Sequence, residues 1–308
     1  MQILDALDLP QVQDDAPWGL ARISHREKLN SSTVSKYLDA PHGGSGVDVY
    51  VLDTGVNVAH ADFEGRTSWG AVIPAHETQE DGHGHSTHCA GIVAGRKYGV
   101  AKEASIIAVK VLNSIGRGTL SDVIKGVEFV AEKHAAAKAK SSRKVRGSVV
   151  NMSLGSGKST IFEDVVEAAV WSGVHFAVAA GNENQDACVW SPQALTTVVT
   201  VGAMSVDDAK AGFSNHGKCV DVFAPGLDID SAWRGGENAS RVSSGTSSAA
   251  PHVAGLMAYL LSMQPDGELV TPEKLKAEVL AIATQGALSG VPEDTVNMLA
   301  WNGGGESI

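Results

Sequence analysis

Cysteine is scarce in this sequence, with three in 308 residues. That is too few to staple a scaffold, so stability must come from a core, and the odd count leaves one thiol over. Long apolar runs are missing as well. None reaches the roughly 18 residues that a membrane-crossing helix needs. Basic charge is in deficit, 24 Lys and Arg against 35 Asp and Glu for a net charge of -11. Such a balance argues against capturing nucleic acid or an anionic membrane by bulk attraction. Residues 1–15 contain acids and no basic residue, so the start does not read as a secretory signal, and a cytosolic protein or a processed start is expected. No Pro- or Ser-rich linker divides the chain. Residues 1–15 read as a tail, 16–303 as one folded unit and 304–308 as a frayed end.

What is present is a 43% hydrophobic chain with 34 glycines, enough apolar surface for a large core and many tight turns. Apolar, β-rich runs at Val47 to Leu52, Ser105 to Leu112, Ser148 to Leu154, Val174 to Ala180 and Thr196 to Ala203 read as strands. Between and after them, Leu120 to Ala139, Ile161 to Ser172 and Thr271 to Thr284 have helical period or composition. The alternation predicts an α/β fold of three layers, a mostly parallel central sheet covered by helices on both faces.

Chemistry-bearing residues gather where strand-like runs end, the place where open α/β sheets collect ligands. Val49 to Gly55 is a buried strand terminating in Asp53, which reads equally as a catalytic carboxylate or a loop cap. The stretch from Asp81 to Gly91 holds His83, His85 and His88. One of these near a helix start suits a general base, and the three together suit a zinc site. Val178 to Asn184 brings Asn182 to a strand mouth, where its amide can donate to a developing oxyanion or simply serve a turn. Ser243 to Gly255 runs from small hydroxyl residues into an apolar helix. A serine there sits among unpaired backbone donors at the positive end of the helix dipole. Pro251 is expected to be tolerated because a first turn has few amides to lose.

Taken together, VLDTGV, GHSTHCAG, AAGNEN and SGTSSAAPHVAG in the order Asp, His, Asn, Ser resemble the subtilisin-like serine proteases. Within that superfamily the chain resembles the proteinase K branch and its fungal vacuolar, cerevisin-type members, on Ala16 to Ile23, Phe213 to Asn215 and Asp221 to Gly226. The resemblance implies a serine endopeptidase of broad specificity. Ser247 would be the nucleophile, His85 its base, Asp53 the carboxylate that orients the imidazole, and Asn182 the oxyanion donor. Gly116, Arg117 and Gly118 with Ser153, Leu154 and Gly155 would sandwich an extended peptide by strand addition. The resemblance also implies a Cys188–Cys219 disulfide, a free Cys89 beside the histidine through which mercurials would inhibit, and a calcium site at Asp221 with the carbonyls of Thr196 and Val198. No cofactor would be required for the chemistry. The protein would act on protein or peptide substrates as a monomer, be inhibited by its own propeptide before maturation, and reside in the vacuolar lumen or be secreted. Of three glycosylation sequons, Asn30 and Asn238 are placed to carry a glycan, and Asn151, in a strand, is not.

The chain departs from the family pattern at His83, Ser86 and Ser248, where asparagine, glycine and methionine are usual. Ser86 adds a hydroxymethyl group. Ser248 removes a large side chain beneath the nucleophile and, with it, an oxidisable thioether. Two other readings remain at this level: a metal-dependent hydrolase built on His83, His85 and His88, and a catalytically inactive peptide-binding relative.

Overall fold

A computed structural model of the protein describes residues 10–139, 145–265 and 269–304. Strand β1, Val47–Asp53, is buried at every position. Its alternating side chains enter two cores: Val47, Val49 and Val51 face one, Tyr50 and Leu52 the other. A strand with two apolar faces has to be covered on both. Eight further strands share its sheet: Thr67–Val72 (β2), Ser105–Lys110 (β3), Gly147–Met152 (β4), His175–Ala179 (β5), Val199–Met204 (β6), Val222–Pro225 (β7), Thr284–Gln285 (β8) and Met298–Leu299 (β9). The order is β8-β9-β7-β6-β5-β4-β1-β3-β2. All neighbours pair in parallel except β8 and β9. The chain thus starts the sheet at β1 and builds outward on both sides, which makes the carboxyl end of β1 a topological switch point.

Helices cover both faces. They are α1, Trp18–Ser24; α2, His85–Ala94; α3, Leu120–Ala139; α4, Thr160–Ser172; α5, Thr246–Met263; and α6, Pro272–Ile282. Side chains of α2, α5 and α6 fill the first core, those of α3 and α4 the second. Fifteen of the eighteen residues of α5 are buried, so it is a core helix with no solvent face, and truncating Leu256 or Leu260 to alanine should cost about 2–5 kcal/mol. The three-layer arrangement is the one the sequence predicts.

Boundaries differ from expectation for local reasons. The strands expected to run to Leu112 and Leu154 stop at Lys110 and Met152. Beyond Lys110 the N–H groups of Val111 and Leu112 both turn to the Asp53 carbonyl, at 2.9 and 3.1 Å, wrapping the chain round the tip of β1. The expected tail is structured in part: Gln11–Gln13 pairs antiparallel with Tyr37–Asp39, while residues 1–9 lie outside the described residues, as do 305–308. Cys188 and Cys219 form a disulfide, and Cys89 is free and buried. Asn151 is fully buried, whereas Asn30 and Asn238 are exposed.

Candidate active site

β1 delivers Asp53 to the end of the sheet with its side chain wholly buried. Oδ1 accepts from Thr54 N–H at 2.7 Å, and Oδ2 lies 2.7 Å from His85 Nδ1. His85 opens α2, and Asp81 fixes that opening. The Asp81 carboxylate accepts from the N–H groups of His83, Gly84 and Thr87 and from the hydroxyls of Thr54 and Thr87, at 2.6–3.1 Å. An aspartate serving the unpaired amides of a helix start is stabilising both as a cap and against the dipole. Gly84 has φ of 98°, and a Cβ on it would lie 2.5 Å from the Trp233 ring, so only glycine can precede the histidine.

The His85 side chain is 27% exposed. Burial opposes its charging, but the charge and hydrogen bond of Asp53, with Asp81 behind, outweigh that and raise its pKa above 6.5.

Ser247 is the second residue of α5. A Cβ on Gly245 would come within 2.9 Å of its Oγ. Pro251 behaves differently from expectation: α5 begins at Thr246, so Pro251 is its sixth residue, and the amide that would bond the Ser247 carbonyl is missing. Two side chains take that role. Cys89 Sγ donates to the Ser247 carbonyl at 3.2 Å and Ser153 Oγ at 3.0 Å. Burial pushes the Cys89 thiol well up, with Asp53 adding to it, so the sulfur stays protonated and able to donate. The Ser247 and His85 side chains are not joined by a hydrogen bond among the described residues, as is common for a hydroxyl and its base before substrate arrives.

Asn182 follows β5. Its Oδ1 accepts from Thr246 N–H at 2.8 Å and Thr246 Oγ1 at 3.1 Å, which assigns the amide orientation and leaves Nδ2 to donate beside Ser247. Ser153, Leu154, Gly155, Asn182, Thr246 and Ser247 line one cavity of about 140 Å³, closed by Gln193, whose Nε2 is held by the Ala179 carbonyl at 2.8 Å. Gly118, Leu154 and Gly155 share a neighbouring cavity of about 100 Å³. The 116–118 and 153–155 segments leave β3 and β4, which flank β1, and so emerge on either side of Asp53. Arg117 lies in the first of these, in a loop closed by Asn113 N–H on its carbonyl at 2.7 Å.

The three histidines do not converge on a metal. His85 is engaged by Asp53, and His88 Nε2 bonds the Ile229 carbonyl at 2.9 Å with its pKa lowered by burial to about 4. His83 stacks edge-on against His85 at 6.1 Å between centroids, its Nδ1 buried without a partner. Among the described residues one other group of ligand atoms approaches, Asp53, His85 and Cys89 within 4.8 Å, but the carboxylate is spent on the imidazole and the thiol is held protonated. Nor do the oxygens expected to hold calcium face an open site. Those of Thr196, Val198 and Asp221 surround the Lys276 ammonium.

Sequence reasoning missed three supporting residues. Asp81 carries a readable signal, an acid just ahead of a helix start. Lys110, fully buried, donates to the carbonyls of Thr54 at 2.7 Å and Glu80 at 3.0 Å and pairs with Glu77 at 3.1 Å, pinning the turn after Asp53. It and Lys276 have no local signature. The unexpected hydroxyl of Ser86 is buried with no partner, and Ser248 is buried in the first turns of α5. A larger cavity of about 740 Å³, lined by His134, Trp171 and Lys276 among others, holds none of this chemistry; the constellation of groups locates the site better than volume does.

Comparisons with known proteins place the chain in a family. The subtilase family, peptidase S8, matches residues 44–297. The chain is 57% identical over 310 residues to the subtilisin-like serine protease Cur l 4.0101 of Cochliobolus lunatus, covering 97% of this chain and 61% of that one. It is 56% identical over 306 residues to the subtilisin-like proteinase Spm1 of Pyricularia oryzae, covering 96% and 57%. To alkaline protease 2 of Aspergillus fumigatus it is 55% identical over 308 residues, covering 97% and 62%. The chain therefore spans about three fifths of the length of these relatives. Among solved structures, a cold-adapted subtilisin-like serine proteinase superposes with a TM-score of 0.83 at 40% identity, covering 94% of this chain and 99% of that one. With the family match extending over most of the chain and the Asp53–His85 pair lying inside it, the protein belongs to the subtilase family.

Proposed function

We propose that this subtilase is a serine endopeptidase that hydrolyses peptide bonds of proteins with broad side-chain tolerance. The observation that carries the reading is the 2.7 Å Asp53–His85 hydrogen bond at the carboxyl end of β1. It belongs to the same end of the sheet as Ser247 and the free amide of Asn182.

The chemistry follows from those positions. Ser247 Oγ attacks the peptide carbonyl carbon while His85 Nε2 takes the hydroxyl proton, and Asp53 steadies the imidazolium. The oxyanion is met by Asn182 Nδ2 and by the Ser247 N–H, one of the unpaired amides of the α5 start. Collapse breaks the C–N bond, with His85 returning the proton to the leaving amine. Water then attacks the acyl ester, gives a proton to His85, and Ser247 recovers it as the C–O bond breaks. Residues 116–118 and 153–155 pair with the backbone of an extended substrate, which secures affinity without reading side chains. The 140 Å³ cavity above Gln193 receives the side chain next to the scissile bond.

The working unit is residues 16–303, acting as a monomer and held inactive by a propeptide until maturation. A vacuolar lumen is the proposed location and secretion the alternative. The Cys188–Cys219 disulfide supports an oxidising route of either kind. The test is treatment with a sulfonyl fluoride followed by mass spectrometry. A single adduct on Ser247 with loss of peptidase activity is expected. Activity that survives the reagent and is lost to a chelator would overturn the reading.

A further inference from the structure

Three chain segments meet at the end of the sheet remote from Asp53. Thr196 and Val198 lead into β6, Asp221 immediately precedes β7, and Lys276 lies midway along α6. Lys276 Nζ donates to the Thr196 carbonyl at 2.9 Å and the Val198 carbonyl at 2.6 Å, and lies 2.7 Å from Asp221 Oδ1. The other Asp221 oxygen accepts from Thr200 N–H at 2.8 Å. An ammonium has three N–H groups and no more, and here each has an oxygen. Both side chains are largely covered, at 16% and 19% exposure.

This is the oxygen set of a hard cation, two backbone carbonyls and a carboxylate. Calcium takes six to eight oxygens at about 2.3–2.6 Å. An ion at the centre of these three would lie almost on the Lys276 nitrogen, and two cations cannot share the cage. We propose that Lys276 is a built-in cation that stands in place of a calcium ion, locking α6 to the entries of β6 and β7 with no metal. A bound ion stabilises only in proportion to its free concentration over its Kd, and a chelator removes it. A tethered ammonium is present whenever the chain is folded. This corner of a protease should therefore resist local opening, and cleavage through it, whether or not calcium is at hand.

The test uses the full chain carrying Ser247→Ala, so that self-cleavage cannot contribute, and reads the thermal midpoint with EDTA, with millimolar calcium and with millimolar magnesium. Asp221→Asn is expected to lower the midpoint by on the order of 5 °C, equally in EDTA and in calcium. Lys276→Ser, which removes the ammonium and uncovers the oxygens, is expected to become responsive: low in EDTA, raised by calcium, and not by the smaller, octahedral magnesium. A calcium-dependent rise in the parent chain that Asp221→Asn abolishes would overturn the proposal, because a metal and not Lys276 would then be the resident cation. Should Lys276→Ser fail to fold, the parent and Asp221→Asn alone decide between these outcomes.

Discussion

Two of this protein's carboxylates, each 2.7 Å from a side-chain nitrogen, form pairs that do opposite things. Asp53 holds His85 and Asp221 holds Lys276. The first pair sits at the carboxyl end of β1, where the partner is a partly exposed imidazole whose pKa the carboxylate raises. The second sits ahead of β6 and β7, where the partner is an ammonium whose three donors are all taken. A carboxylate–cation pair serves chemistry when its partner can give up a proton and still face solvent. It serves stability when the partner is enclosed and every donor it has is taken.

Substitutions should separate the two. Asp53→Asn should lower kcat by about 10⁴-fold with little change in folding, since the amide keeps the shape but loses the charge that orients and supports His85. A kcat within tenfold of the parent in peptide hydrolysis would erase the distinction from the second pair, where Asp221→Asn should act on the thermal midpoint. Asn182→Ala should reduce kcat by about 10²- to 10³-fold with KM nearly constant, because its amide is free for the transition state alone.

pH should sharpen the contrast next. The base must be neutral to work, and its pKa is raised, so activity should fall on the acid side through a pKa above 6.5, and Asp81→Asn should move that limb downward. Stability has a different acid limb. Burial holds His88 and His252 down to about 4 and His175 to about 3. The unfolded chain takes up these protons as pH falls below 6.5 while the folded one does not. The stability present above 6.5 is thus lost on acidification toward pH 4, by roughly 3 kcal/mol per group. Denaturation midpoints between pH 7 and 4 would show it, and a flat profile would refute it. The smallest effect concerns Cys89, which supports the Ser247 carbonyl from within the core. Mercurials should inhibit the parent, and Cys89→Ala should retain most activity and lose that sensitivity. Equal sensitivity would refute this route, because the other two cysteines are tied in the disulfide.

Much of the site was legible because each catalytic candidate ends a local signal. Asp53 closes an apolar strand, Asn182 follows another, and Ser247 sits among small residues at a helix start. The role of Pro251 was misread because the helix boundary is set by Asn182 capping Thr246, from 64 positions away. Lys276 was overlooked for the same reason: in sequence it is one of several charges on an amphipathic helix, and only the packing of α6 brings it to Asp221.

By itself the sequence determined the three-layer alternation, because periodicity of apolar residues decides which faces must be buried, and it supplied the four candidate residues. Only the tertiary structure decided which side chains share a hydrogen bond across tens of residues. Neither the donors on the Ser247 carbonyl nor the cation among the Thr196, Val198 and Asp221 oxygens is local. Such pairings are fixed by how strands and helices pack, and no neighbouring residue encodes them.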